Sequence, residues 1–160
     1  MACSISGTVL SSPVAEAKAV NASHKAGKDG AQLVTIAAPE TLAAESFRIL
    51  RTNLQIPGTD RHLPSLLITS PSRGDGKSDV AANLAVSFAR AGKQVILIDA
   101  NLRRPQAMSL FGLEEKTGLA NLLDSRDRLP EPVAIPSVPG LSVLPAGHSS
   151  ANASEILGSQ

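Results

Sequence analysis

The sequence predicts an α/β fold in which helices flank a parallel β-sheet, and three observations support this prediction. Apolar runs and helical patterns alternate along the chain from Ser65 onward, as in folds that join parallel strands by helical crossovers. The run Val95–Ile98 is entirely apolar, which is typical of a strand covered on both faces. A glycine-rich loop at 70–78 joins an apolar run to a helical pattern. Such a loop lies at the carboxyl edge of the sheet, where α/β folds bind ligands.

The composition limits the possible classes of protein. With 160 residues the chain is long enough for one domain with a hydrophobic core. The formal net charge of +1 and the scarcity of aromatic residues argue against a nucleic-acid partner. The single cysteine, Cys3, excludes an internal disulfide and fits a reducing compartment. No run approaches the roughly 18 consecutive apolar residues of a membrane span.

The first part of the chain divides into three segments. Residues 1–32 are rich in Ser, Ala, Lys and Gly without sustained periodicity, so we expect a flexible leader ahead of a domain at 33–160. The run at 33–36 is expected to form a short edge strand. A helix is predicted at 41–54, with Thr41 as its N-cap. The residues predicted to form the apolar side of this helix are Leu42, Phe47, Ile49, Leu50 and Leu54.

The remaining elements alternate between strand and helix. The sequence predicts a buried strand at 66–69, a helix at 78–91 and a second strand at 94–99. Apolar residues recur at i, i+4 and i+8 in the helix, and Gly92 ends it in the usual way. The later predicted elements are short helices at 105–111 and 119–123, a strand at 141–144 and a helix at 153–157.

The segment Ser-Pro-Ser-Arg-Gly-Asp-Gly-Lys-Ser at 70–78 is close to a phosphate-binding loop. In such a loop, glycines let several backbone N–H groups point at one anion, a lysine reaches the terminal phosphates and a hydroxyl holds magnesium. Lys77 and Ser78 stand at these last two positions. We therefore predict that the segment binds a nucleotide. The predicted contacts are Ser72, Arg73, Gly74, Asp75, Gly76, Lys77, Ser78 and Asp79.

Two residues depart from the strict pattern G-x-x-x-x-G-K-[ST]. Pro71 replaces the first glycine, and Asp79 directly follows the magnesium-binding position. A carboxylate in the first turn of a helix suits the dipole and the unpaired N–H groups there. The same carboxylate would repel bound phosphate by roughly 3 kcal/mol at about 5 Å and an effective dielectric of about 20. Both interpretations of Asp79 stay open.

Asp99 ends the second predicted strand, at the same sheet edge as the loop. An acidic residue that faces a phosphate loop is placed to bind magnesium or its bound water. The alternative is that Asp99 caps the turn that follows its strand. Because the phosphate loop precedes it, we favour the metal role.

Several motifs in a fixed order carry a family resemblance. Glu45, Arg48 and Arg51 form the pattern E-x-x-R-x-x-R on the helix before the loop, which by itself is most often a solvated charged stripe. Together with the later motifs, it makes the chain resemble the cytoplasmic ATPase domain of the bacterial tyrosine kinases of polysaccharide export, over roughly residues 33–158. The motifs are ESFRILRTNL at 45–54, LITSPS at 67–72, GDGKS at 74–78, AANLA at 81–85, LID at 97–99, LRRP at 102–105 and LPAG at 144–147.

The resemblance implies a P-loop NTPase-like fold with ATP and Mg²⁺ as cofactors. Lys77 would stabilise the transferring phosphoryl group and Ser78 would hold magnesium. Asp99 would begin the Walker A′ motif, as a metal ligand or a candidate base. Glu45, Arg48 and Arg51 would form the subunit contact of a ring-shaped homo-oligomer.

The resemblance also implies a biological role. Family members phosphorylate tyrosines in a C-terminal cluster while they regulate the polymerisation and export of capsule or exopolysaccharide. Many work with a transmembrane chain-length-determinant or activator protein. We therefore expect a cytoplasmic chain that reaches the inner face of the plasma membrane through such a partner.

Three departures from the family pattern bear on activity. Asn101 replaces the second aspartate of the Walker A′ motif, and Asp79 replaces a threonine. The Walker B strand and the tyrosine cluster of the family would follow Gln160, so we expect a partial domain with impaired activity. One alternative is a non-catalytic, nucleotide-binding regulatory or assembly subunit. Another is a partition-type P-loop ATPase, although such proteins carry a signature lysine where this chain has Ser72.

Overall fold

The structure is a computed structural model that describes residues 2–5, 33–55, 65–114, 117–125 and 130–147. Within these ranges the strands are β1 (Ala2–Ile5), β2 (Ser65–Leu67), β3 (Val95–Ile98), β4 (Val133–Ala134) and β5 (Leu141–Leu144). The helices are α1 (Val34–Ala37), α2 (Leu42–Leu54), α3 (Lys77–Arg90), α4 (Ala107–Leu110) and α5 (Leu119–Ser125).

The strands form one sheet in the order β2-β1-β3-β5-β4. β3 and β5 are parallel, whereas β1 is antiparallel to both of its neighbours, β2 and β3. β2 and β3 therefore point in the same direction, and α3 is the crossover that joins them. The predicted α/β fold with a helix-flanked sheet is confirmed. The described sheet is mixed because β1, and also β4 beside β5, add antiparallel pairs.

Helix α3 is the centre of the hydrophobic core. Every residue from Ala81 to Ala89 is buried, and its alanines let the helix backbone approach the sheet closely. Leu84 and Phe88 are among the largest fully buried side chains of the described residues. Helices α1 and α2 contact α3, while α3 itself contacts β1, β3 and β5. The prediction of this helix is confirmed, including its end at Gly92, which has a φ of +80°.

The prediction of an edge strand at 33–36 is wrong, because this segment forms the single helical turn α1. Thr35 is buried, and its N–H and its Oγ1 both donate to Oδ1 of Asn83 on α3, at 3.0 and 2.8 Å. The N–H of Ile36 donates back to the carbonyl of Leu33 at 2.9 Å. Residues with high strand propensity thus adopt a helical turn, since α3 offers Thr35 a buried acceptor that a strand would not reach.

Two predictions, for residues 2–5 and for the strand before the glycine-rich loop, differ from the structure. Ala2–Ile5 form β1, so the predicted flexible leader is wrong for these residues, whose backbone pairs with two strands. β2 is an edge strand in which Leu66 packs against the core and Leu67 is 71% exposed, so the prediction of a buried strand is wrong for Leu67. The rest of the predicted leader and the helix predicted at 153–157 lie outside the described residues.

Candidate functional site

The loop at 70–76 joins the carboxyl end of β2 to α3 and adopts a backbone shape that requires glycine. Gly74 and Gly76 have φ values of +83° and +79°, in the left-handed region that other residues avoid. A Cβ at either position would meet no atom within 4 Å. The two glycines are therefore needed for the backbone conformation and not for lack of space.

The N-terminus of α3 is left open toward this loop. Its N-cap is Gly76, which has no side chain, and no side-chain cap bond is made there. The first N–H groups of a helix have no partner within the helix, and the helix dipole adds partial positive charge at the same end. Lys77, partly buried, and Ser78, 3% exposed, occupy the first turn. These features fit the phosphates of a nucleotide.

The carboxylate of Asp75 bridges two positions of the loop by a hydrogen bond. Its Oδ2 accepts a hydrogen bond from the N–H of Ser72 at 3.0 Å, and Oγ of Ser70 donates to the carbonyl of Ser72 at 2.9 Å. The predicted contact residues Ser72, Arg73, Gly74 and Asp75 are all exposed on this loop. The loop is thus pre-shaped by its own hydrogen bonds, and its outer surface is open to a ligand.

Asp79 is exposed in the first turn of α3, beside the predicted phosphate position. Its backbone carbonyl accepts a hydrogen bond from Nδ2 of Asn83 at 2.9 Å. This contact fixes the backbone of the first turn and leaves the carboxylate in water. The capping and the repulsive interpretations of Asp79 both remain predictions.

Asp99 is 1% exposed, and backbone N–H groups surround its carboxylate. Oδ1 accepts from the N–H of Asn101 at 2.9 Å. Oδ2 accepts from the N–H groups of Gln106 and Ala107, each at 2.9 Å. Because Ala107 is the first residue of α4, Asp99 caps that helix, as in the alternative to the metal role. Its metal and base roles stay predictions, for which Oδ1 keeps the more open acceptor capacity.

The loop and Asp99 lie at the same edge of the sheet. β2 and β3 point in the same direction, so their carboxyl ends meet at one edge. With β1 between them, the two strands are two strand spacings apart, or about 10 Å. The topology therefore places the predicted phosphate and magnesium residues at one edge of the sheet.

A backbone junction that the sequence does not reveal lies beside Asp99. The N–H of Asp99 donates to the carbonyl of Leu144 at 3.0 Å. Directly after it, Leu119 and Ala120 of α5 donate their N–H groups to Pro145 and Ala146 at 2.9 and 2.8 Å. A Cβ at Gly118 would lie 2.2 Å from the Pro145 carbonyl oxygen. Helix α5 therefore docks on the motif LPAG at 144–147. Apart from the isolated Gly118, no residue pattern in the sequence indicates this contact.

The basic and acidic residues of α2 all have partners within the chain. Glu45 and Arg48 form an ion pair, and Arg48 also donates from Nη2 to the carbonyl of Pro39 at 2.9 Å. Arg51 donates from Nη1 to the carbonyl of Ser87 on α3 at 2.9 Å. Its Nε is buried and has no hydrogen-bond partner among the residues that the structure describes. Arg51 thus points toward α3, away from the pair.

The apolar residues of α2 fall on two faces and not on one. Leu42 is 87% exposed and Ile49 is 53% exposed, so their assignment to one apolar side is wrong. Phe47, Leu50 and Leu54 do pack against the core. At about 100° per residue, Leu42 and Ile49 lie on the same helix face as Glu45. Their exposure could therefore have been predicted from the spacing of these three residues in the sequence. The N-cap prediction is confirmed, since Thr41 Oγ1 accepts from the N–H of Ala44 at 3.3 Å.

Two features are absent from the part of the chain that the structure describes. No group of three or more His, Cys, Asp or Glu side chains comes together there as a metal site. In the same part of the chain, no helix is long and apolar enough to cross a bilayer.

Comparison with known proteins confirms the family resemblance. A family model described as ParA, NUBPL iron-transfer P-loop NTPase, matches residues 64–149. Tyrosine-protein kinase YwqD of Bacillus subtilis is 39% identical over 128 residues, which are 80% of this chain and 54% of that protein. This chain therefore spans about half the length of that relative.

Solved structures agree with the sequence matches. The BceF tyrosine kinase domain superposes with a TM-score of 0.66 at 36% identity, over 81% of this chain and 51% of that one. The kinase domain of the Escherichia coli tyrosine kinase ETK gives a TM-score of 0.67 at 29% identity, over 78% and 49% of the two chains. With a family model that matches more than half of its length, this chain belongs to the ParA-type P-loop NTPases, and its homologues there are bacterial tyrosine-protein kinases.

Proposed function

We propose that this chain binds ATP with Mg²⁺ at the loop of residues 70–79 as the nucleotide-binding part of a tyrosine-kinase-type ATPase. The observation that carries the proposal is the open N-terminus of α3, capped only by Gly76 and preceded by two glycines with positive φ. A glycine N-cap offers no side-chain acceptor to the first N–H groups of the helix, and it costs the helix only a few tenths of a kcal/mol relative to a capping side chain. An anion bound there restores partners for its N–H groups.

The proposed roles of the residues follow from their positions. The N–H groups of the first turn of α3 bind phosphate oxygens, and the ammonium group of Lys77 stabilises the charge on the transferring group. Magnesium, when bound, neutralises the negative charge of the phosphates. The Ser78 hydroxyl would hold the magnesium ion, and the Asp99 carboxylate would bind the ion or its water from the carboxyl end of β3.

The biological part of the proposal rests on the family resemblance. It is that this chain regulates polysaccharide polymerisation and export by phosphorylating tyrosine, with a transmembrane chain-length-determinant or activator protein as its partner. The chain would then act in the cytoplasm at the membrane's inner face. We prefer this function to that of a partition-type ATPase because Ser72 replaces the signature lysine and because the relatives named above are tyrosine kinases.

Replacing Lys77 by Met tests the nucleotide site. We expect Lys77→Met to weaken ATP affinity by about tenfold or more, since it removes a charge from the phosphate position. A matched control is Lys93→Met, because Lys93 follows the opposite end of α3, about 20 Å away along the helix. The measurement is a calorimetric titration of each variant with ATP and Mg²⁺.

Equal ATP affinity in Lys77→Met and the unmutated chain would disprove the binding role. Catalysis needs a separate assay, with a tyrosine-containing substrate added because these 160 residues contain no tyrosine. Phosphotransfer or ATP hydrolysis that Lys77→Met abolishes would support the kinase. Binding without either activity would support the non-catalytic regulatory subunit, for which Asn101 is the motivating residue.

Asp99→Asn separates capping from metal binding. An amide nitrogen would face N–H donors on one side of the group, so we expect the free energy of unfolding without Mg²⁺ to fall by about 1–3 kcal/mol. If Asp99 also binds the metal, Mg²⁺ will no longer increase ATP affinity in the variant. Glu114→Gln, at an exposed acidic residue, is the control. An unchanged Mg²⁺ effect would leave Asp99 with the capping role alone.

Asp79→Asn decides between the two interpretations of Asp79. Because the side chain is exposed, water screens it, and the repulsion of phosphate falls to about 1 kcal/mol. The repulsive interpretation then predicts about fivefold tighter ATP binding in Asp79→Asn. The capping interpretation predicts unchanged affinity and a loss of stability of about 0.3–1 kcal/mol. Titration and urea denaturation of the same variant measure both quantities.

A second part of the proposal concerns self-association. We infer that the α2 outer face, defined as Leu42, Glu45 and Ile49 with Arg48 beside them, is the contact of a homo-oligomer. Two large apolar side chains are exposed there around an ion pair, which is a composition typical of interfaces. Arg51 would join the contact only by leaving the Ser87 carbonyl. In this structure Arg51 instead holds α2 against α3 through its hydrogen bond to the Ser87 carbonyl.

Ile49→Asp tests this surface. Burying an isoleucine contributes about 1.5–3 kcal/mol, so a buried carboxylate in its place raises the dissociation constant of self-association by tenfold or more, about 1.4 kcal/mol. Ala91→Asp, which adds the same charge at an exposed position after α3, leaves that constant unchanged. Sedimentation velocity over a range of concentrations provides the measurement. Equal self-association of both variants would contradict the proposed surface.

A further inference from the structure

A series of hydrogen bonds connects helix α1 to the glycine that caps α3. Thr35 donates twice to Oδ1 of Asn83, from its N–H at 3.0 Å and from its Oγ1 at 2.8 Å. Nδ2 of Asn83 donates to the carbonyl of Asp79 at 2.9 Å. That carbonyl belongs to the peptide group whose N–H, on Val80, donates to the carbonyl of Gly76 at 2.9 Å. The series therefore ends at the last glycine of the phosphate loop.

The two donors of Thr35 determine which way the Asn83 amide points. A carboxamide has an acceptor on one side and an NH₂ group with two donors on the other. Thr35 and Asn83 are only 4% and 5% exposed, so a reversed amide would set its NH₂ group against two buried donors, a loss that water would not restore. The amide oxygen must therefore face α1, and the NH₂ group must face the first turn of α3.

The first turn of α3 depends on this restraint because no side chain caps the helix from its N-terminal side. The N-cap is Gly76, which offers no side-chain acceptor, and the terminal turns of helices fray. Asn83 lies one turn further along, in the buried middle of α3. Its amide holds the peptide group between Asp79 and Val80, which in turn holds the Gly76 carbonyl. The turn is therefore held from within the core.

We propose that Thr35 and Asn83 are positioning residues of the nucleotide site, which keep the first N–H groups of α3 in the directions that phosphate oxygens require. This inference rests on the proposed nucleotide function. Neither residue is a proposed phosphate ligand, since Asn83 acts through the Asp79 carbonyl and Thr35 acts through Asn83. A binding group that is already ordered does not pay the entropy of ordering when the ligand binds. Loss of these contacts therefore weakens ATP binding.

Replacing Thr35 tests the series at its far end, on a different helix from the site. Thr35→Val keeps the branched shape and removes the Oγ1 donor, whereas Thr35→Ser keeps the donor. We expect Thr35→Val to weaken ATP affinity by about threefold or more, as for the loss of one hydrogen bond. We expect Thr35→Ser to retain the affinity of the unmutated chain. Calorimetric titration with ATP and Mg²⁺ measures each affinity, and urea denaturation measures the stability of each variant.

Ser87→Ala is the matched control. Ser87 is also buried on α3, at 3% exposure, but its Oγ donates to the carbonyl of Phe47 on α2 at 3.4 Å. The control therefore removes a buried hydroxyl from the same helix without touching the series that leads to Gly76, and its ATP affinity stays unchanged. Equal affinity of folded Thr35→Val and the unmutated chain contradicts the proposal. Equal weakening in Thr35→Val and Ser87→Ala also contradicts it, because general destabilisation would then explain the loss.

A second measurement uses the unmutated chain. NMR follows the backbone N–H groups of Lys77 and Thr35 and the side-chain NH₂ group of Asn83 during a titration with ATP and Mg²⁺. Because coupling between contacts is reciprocal, we expect all three signals to shift with the same dissociation constant. Shifts at Lys77 without shifts at Asn83 and Thr35 overturn the positioning role. No shift at Lys77 counts against the proposed nucleotide function and, with it, against this inference.

Discussion

The structure depends on one constraint, which is that α3 must bury its middle and leave its N-terminus open. Burying Leu84 and Phe88 stabilises the fold by about 1.5–3 kcal/mol each, whereas a glycine N-cap at Gly76 in place of a capping side chain costs only a few tenths of a kcal/mol. Packing therefore exceeds the cost of an open helix end. The alanines of α3 allow that packing at short range, and the sheet, α1 and α2 all contact this helix. The first N–H groups of α3 can remain without a side-chain acceptor because packing of the rest of α3 against the sheet, α1 and α2 stabilises the helix.

The parts of the structure that follow from local pattern were predicted from the sequence. The loop with its glycines, the helix after it and the apolar strand before Asp99 are each encoded by a few adjacent residues. The parts that depend on distant partners were not predicted. Thr35 is helical because Asn83 accepts its hydrogen bonds, and α5 docks on the chain after β5 through backbone hydrogen bonds from Leu119 and Ala120. No local pattern records contacts of that kind.

Asp99 illustrates how a correct position can leave a role undecided. Its place at the sheet edge follows from an apolar strand that ends in a carboxylate. Its three backbone partners follow from the turn after it, where the chain folds back so that Gln106 and Ala107 reach Oδ2. A buried carboxylate is stable only with such partners. The same hydrogen bonds that permit its burial also hold its oxygens in fixed directions, so any ligand it binds must fit a geometry set in advance.

The contact between Gly118 and Gly147 limits how this protein can change in evolution. A side chain on Gly118 would lie 2.2 Å from the Pro145 carbonyl oxygen, and one on Gly147 would lie 2.5 Å from Oδ1 of Asn121. Both residues stand where the backbone of α5 meets the chain after β5, one strand away from Asp99. Most single-base changes at these two codons would insert a carbon atom between the two segments. Sequences that keep this site must therefore keep glycine at both positions, although neither residue contributes a side chain to it.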